Sequence, residues 1–218
     1  VLVTPDSATA LVKQAQHLIA VKFGWFYMLS VAGFMLVLAY CGMSTKIGSL
    51  RLGQDHERPE FSTFAWGAML FSTGMGIGLV FFGVAEPVMH YLSPPVVEAK
   101  TAQAMEQAMT ITFFHWGFNA WAIYAIVALV ISYAAYRKNL PIEMRSALYP
   151  LIGKKIYGPI GDFVDSFAVL ATVIGIVTPL GFGVMQINSG LHYLFDVPKG
   201  VGVQITLIAG ISIVTCLS

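Results

Sequence analysis

Apolar runs of about twenty or more residues, separated by short blocks that hold most of the charge, are what most constrains this chain. A helix needs about 20 such residues to cross a bilayer's hydrocarbon core. Inside that core every backbone N–H and C=O must be satisfied within the protein, which a helix does for itself. The runs fall at roughly 23–43, 62–89, 107–135, 163–189 and 199–218. Of the 218 residues only 11% are charged and 57% are hydrophobic, against about a quarter charged in soluble domains. The expectation is an all-α membrane protein, one transmembrane domain over 1–218 with five spans, the last incomplete.

The flanking segments read differently. SATALVKQAQHLIAVK, before the first run, has apolar residues at mixed three and four spacing, as in an interfacial or short extramembrane helix. PPVVEAKTAQAMEQAM, between the second and third runs, opens on a proline break and turns helical. The chain begins without methionine and stops inside the apolar run TLIAGISIVTCLS, so a piece of a longer protein is expected. The first twenty residues lack the charged-then-apolar layout of a cleavable signal peptide. A net charge of +1 gives no reason to expect a nucleic-acid partner. Cys41 and Cys216 lie in apolar runs without metal-ligand spacing and read as small packing residues.

Charge sets the expected orientation. Lys46, Arg51 and Arg58 follow the first run, and Arg137, Lys138, Arg145, Lys154 and Lys155 follow the third. These two loops share a side and hold eight of the twelve basic residues, so that side is expected to be cytoplasmic. The N-terminal segment with Lys13 and Lys22 then starts outside, implying an earlier span.

Within the second run, FSTGMGIGLVFFGVAEP places Gly74, Gly76 and Gly78 at alternate positions. Each glycine in a helix interior costs about 1 kcal/mol relative to alanine. Two explanations fit the spacing equally. Transporters break helices at the midplane so that half-helix ends can bind substrate and ion. Small residues four apart, such as Gly74 and Gly78, also let two helices pack closely. A dinucleotide-binding fingerprint is excluded, because that motif needs a strand–turn–helix setting.

The third run contains FHWGFNAWAIY. At ~100° per residue, Trp116, Tyr124 and Trp121 fall at roughly 0°, 80° and 140°, one broad face. Aromatic cages hold quaternary ammonium groups through their π-faces. Ordinary packing with an interfacial belt is the competing explanation, and spacing alone favours it. His115 has no acidic or histidine partner at helical spacing and reads as a hydrogen-bonded packing residue.

Together the two motifs resemble the betaine/choline/carnitine transporter family. The resemblance runs from FGWFYMLS through GMGIGLVFFGVAEP and HWGFNAWAIY to LPIEMRSALYP and LATVIGIVTPLGFGVMQIN. It, and not the periodicity, tips both open readings toward function. It implies a leucine-transporter-type inverted-repeat fold of which this chain covers an N-terminal portion. It implies a secondary active transporter in the bacterial inner membrane that imports glycine betaine or a related betaine. Sodium is the implied coupling ion, no other cofactor is implied, and the implied assembly is a homotrimer in lipid. By the same resemblance, Trp116, Trp121 and Tyr124 hold the trimethylammonium group. Gly74, Gly76 and Gly78 form the unwound substrate segment, while Ser72, Met75 and Thr172 are sodium ligands. The second threonine of a further sodium site is matched by Ile176, which has no side-chain oxygen. Proton-coupled choline carriers of the family often have aspartate where this chain has Gly78, which favours a zwitterion with sodium. A proton-coupled choline transporter and a carnitine-type exchanger are the alternatives.

Glu86 follows the glycines by two turns and precedes Pro87. A carboxylate at membrane depth is a functional candidate, but its place near the outer surface suggests a structural or capping residue. Asp162 and Asp165 read as charges favouring a helix N-terminus. The spans contain no paired acids, histidine cluster or serine–histidine pair, so an intramembrane enzyme is not expected.

Overall fold

The computed structural model describes residues 5–74 and 76–217, which are helical apart from short connections. Its longer helices are α1 (Pro5–Met43), α2 (Thr63–Gly74), α3 (Ile77–Leu92), α4 (Ala102–Arg137), α5 (Pro159–Phe195) and α6 (Val201–Leu217). Among the described residues, Thr9–Met43, Ala102–Arg137 and Pro159–Phe195 are each long and apolar enough to cross a membrane. Apolar side chains cover their outer surfaces: Phe163, Phe167, Leu170 and Ile174 of α5 are all exposed.

The helix expected before the first run is not separate. It is continuous with the run, making α1 39 residues long, or about 58 Å at ~1.5 Å per residue. After Pro5 no proline interrupts this stretch, so the backbone ladder has nothing to stop it at residue 22. The expected turn before the third run is present, where Thr101 caps α4 by accepting from the Ala104 N–H at 3.1 Å.

α3 packs against the first half of α4 and also against α5, while α1 lies along the second half of α4. Phe182 joins α5 to α3, stacked on Phe81 at 4.9 Å and edge-on to Phe82 at 5.6 Å. Fully buried Asn188 fixes the turn into α6, donating to the Pro198 carbonyl at 3.1 Å and accepting from the Gly200 N–H at 3.4 Å.

The charged loops are tied down by arginine. Arg137, at the end of α4, pairs with Asp55 at 2.8 Å and donates to the Gly53 carbonyl at 2.9 Å. That guanidinium holds the Asp55 carboxyl below its ordinary range. Arg145 pairs with Asp165, with Glu143 at 2.9 Å and with Asp162 at 3.0 Å. Asp162 and Asp165 thus do more than favour the α5 dipole, because they bind the preceding loop to its first turns. Gly161 is needed there, since a Cβ would collide with the Ile156 carbonyl. Cys41 and Cys216 are unbridged, and Cys216 is exposed instead of packed.

Candidate functional site

The glycine run breaks its helix. α2 ends at Gly74 and α3 starts at Ile77, with Gly76 between them as an N-cap in extended conformation (φ −63°, ψ 174°). Its carbonyl accepts the first helical bond from the Val80 N–H at 3.2 Å. Having no side chain, Gly76 leaves the first-turn N–H groups of α3 without a side-chain cap. Such an end carries partial positive charge and unfilled donors, a setting that favours a carboxylate. Gly78 meets a different demand. A Cβ there would lie 3.2 Å from Cη2 and 3.6 Å from Cζ3 of Trp116. Close approach is therefore real at Gly78, but it is made to a ring and not to a neighbouring backbone.

Trp116 projects from a second irregular segment. Residues His115–Asn119 of α4 form a π turn, with Gly117 outside helical geometry (φ −84°, ψ −149°). Single π turns of this kind often mark functional positions. Side chains also donate to carbonyls of this turn: Asn119 Nδ2 to the Phe114 carbonyl at 3.0 Å, and Trp121 Nε1 to the Trp116 carbonyl at 3.1 Å. A reckoning at 100° per residue does not hold through this turn. The five-residue step puts the Trp121 indole over the backbone of Trp116. Trp121 in turn contacts Tyr124, with ring centroids 5.8 Å apart and planes tilted by 43°. The faces of this pair are open, Trp121 being 43% and Tyr124 71% exposed.

The other end of Trp116 is held by α3. Its ring stacks on Phe82 at 6.0 Å, and its Nε1–H donates to Glu86 Oε2 at 2.7 Å. Glu86 Oε1 faces His115 Nδ1 at 2.8 Å and His90 Nε2 at 3.4 Å. Only 7% of Glu86 is exposed. His115 thus does have an acidic partner, supplied by another helix, and Glu86 faces inward instead of capping. The pairing with His90, four residues on along α3, could be read from spacing along one helix, whereas those with His115 and Trp116 could not. The visible signal was the row Gly78, Phe82, Glu86, which lies on one face of α3 at four-residue intervals.

The residues matched to sodium ligands stand apart from this group. Ser72 is exposed in the last turn of α2, and Met75 lies outside the described residues. Thr172 is exposed on α5, its hydroxyl donating to the Ala168 carbonyl at 2.8 Å, and Ile176 is 59% exposed. Among the described residues, no hydrogen bond or ring contact joins Ser72 or Thr172 to Trp116, Trp121 or Tyr124.

Comparison with known proteins gives a match to the family model for betaine/carnitine/choline family transporters over residues 1–218. The chain is 54% identical over 218 residues to a glycine betaine transporter of Acinetobacter baylyi, covering all of this chain and 33% of that protein. It is 48% identical over 221 residues to the glycine betaine transporter OpuD of Bacillus subtilis, covering all of this chain and 42% of that protein. It is 46% identical over 196 residues to the high-affinity choline transport protein of Escherichia coli K12, covering 90% of this chain and 29% of that protein. The chain therefore spans less than half the length of these relatives, which are transporters and not enzymes.

Proposed function

Because the chain belongs to the betaine/carnitine/choline transporter family, we propose that it forms part of a carrier that imports glycine betaine or a related betaine with sodium. In this reading the chain supplies an N-terminal portion of a leucine-transporter-type inverted-repeat fold in a bacterial inner membrane, within a homotrimer. The observation that carries it is one juxtaposition: the helix break ending at Ile77 lies beside Gly78, against which the Trp116 ring is packed. A betaine has two charged ends, and each finds suitable chemistry nearby. The trimethylammonium group cannot donate N–H hydrogen bonds and suits the π-faces of Trp116, Trp121 and Tyr124. The carboxylate suits the unfilled N–H groups at the start of α3. Gly74 and Gly76 allow the break that frees those groups. Ser72, Met75 and Thr172 are the proposed sodium ligands, and Ile176 argues against a second sodium bound there.

Choline is the competing substrate, since a relative 46% identical over 196 residues is a choline transport protein. Choline has no carboxylate and would gain from an acid at the break. This chain has glycine at 78, where even a Cβ would press on Trp116. The test is uptake of labelled glycine betaine and choline by the full-length protein in a transporter-deficient strain. Saturable betaine uptake should collapse when potassium replaces sodium and change little between two pH values. Choline uptake that follows the proton gradient without sodium would overturn the reading. Uptake that needs neither ion, only a counter-substrate inside, would indicate a carnitine-type exchanger instead.

A further inference from the structure

We infer that Glu86 is a positioning residue for substrate recognition, fixing the Trp116 indole in the pose that the break and the aromatic pair require. The inference rests on the reading above, in which Trp116 meets the substrate. The indole's benzo edge, at Cη2 and Cζ3, lies over Gly78, and its pyrrole N–H reaches Glu86. Phe82 lies between them in the sequence and stacks on the ring. Gly78, Phe82 and Glu86 are successive members of one i, i+4, i+8 row, so a single face of α3 grips the indole along its length. Glycine admits the ring at one end, phenylalanine covers part of it, and the carboxylate holds the N–H at the other end.

The chemistry of Glu86 suits holding over reacting. A buried carboxylate is tolerable only with partners, and both of its oxygens are engaged. Hydrogen bonds to ionised acceptors are short and strong, in keeping with the 2.7 Å bond from Trp116 and the 2.8 Å contact with His115. His115 directly precedes Trp116 on the π turn, so the carboxylate holds two consecutive residues of the irregular segment. Without it, the local backbone of α4 does not determine where the indole points, because Gly117 interrupts the helical geometry one residue later. Glu86 is thus the hydrogen-bonding partner that fixes the indole's direction, while Gly78 and Phe82 set its approach.

The experiment is a double-mutant cycle on the full-length protein, reading equilibrium binding of labelled glycine betaine and of choline, with thermal midpoints recorded throughout. Glu86→Ala should weaken binding of the accepted probe about tenfold. Glu86→Gln should recover much of that loss, because an amide oxygen still accepts the indole N–H. Trp116→Phe keeps a ring but removes the donor. In that background Glu86→Ala should change binding less than about threefold, against about tenfold in the parent, a non-additivity expected only of coupled residues. If Glu86→Ala does not fold, Glu86→Leu, which keeps the volume but has no acceptor, takes its place in the cycle. Trp121→Ala serves as the separate check on the site, since Glu86 does not touch that ring. If Trp121→Ala weakens binding but the Glu86 and Trp116 effects simply add, or Glu86 variants bind normally, the positioning role is overturned. If Trp121→Ala and Trp116→Phe both bind normally, the aromatic site itself is wrong and the inference falls with it.

Discussion

Replacing Trp121 by alanine in the full-length protein is expected to weaken glycine betaine binding about thirtyfold, with little loss of stability. A cation over an indole face in a desolvated site is worth about 2 kcal/mol, and that energy converts to this factor. Trp121 is the cleaner target of the two tryptophans. Its face is open and its N–H caps one carbonyl of the π turn, so truncation removes one hydrogen bond from the fold. Trp116→Ala should weaken binding at least as much but also lower the thermal midpoint, because it leaves buried Glu86 without its indole donor. At Tyr124, phenylalanine should cost less than alanine, since the ring face is retained. Isothermal titration with each purified variant checks the series. Unchanged affinity in Trp121→Ala would make the open ring pair ordinary packing.

Gly78→Ala is expected to weaken betaine binding about tenfold, while Gly83→Ala on the same helix leaves it unchanged. Both substitutions favour the helical state, by as much as ~1 kcal/mol in a helix interior. They differ in what the new methyl meets. At Gly83 nothing lies within 4 Å, whereas at Gly78 the methyl would sit 3.2 Å from Trp116. The ring must then give by a few tenths of an ångström. Overpacking of this kind costs about 1–3 kcal/mol, and a loss of ~1.4 kcal/mol in binding is tenfold. Gly76→Ala belongs to a third class. Its φ of −63° is open to any residue, so the change acts on the N-cap, where alanine is poorer than glycine. Binding and thermal midpoints measured together separate the three. Equal effects from Gly78→Ala and Gly83→Ala would mean that propensity, and not the approach to Trp116, governs the site.

The helical class and the position of the break were legible because they follow from local composition. Three glycines within five residues weaken a helix whatever surrounds them, although spacing could not say whether Gly78 meets a ring or a backbone. The π turn at His115–Asn119 was not legible, since no residue pattern announces a five-residue step. The angular relation of Trp116 to Trp121 was therefore misjudged. The bond from Trp116 to Glu86 joins residues thirty apart on different helices, and no periodicity within either helix encodes it. The same holds for Arg145 with Asp165, where charge alone puts the arginine to orientation and the aspartate to the helix dipole and does not pair them. The continuity of α1 was missed for the opposite reason. A change in side-chain polarity near residue 22 marks a change of surroundings, and the backbone ladder ignores it.

The break between Gly74 and Ile77 and the aromatic groups of α4 are proposed to bind opposite ends of one zwitterion. An experimental structure of the full-length protein with glycine betaine bound tests this most directly. The expected result is the ammonium within about 6 Å of the Trp116 and Trp121 ring centroids, with the carboxylate at the first N–H groups of α3. Betaine bound elsewhere, or one unbroken helix running from residue 63 to residue 92, would contradict it.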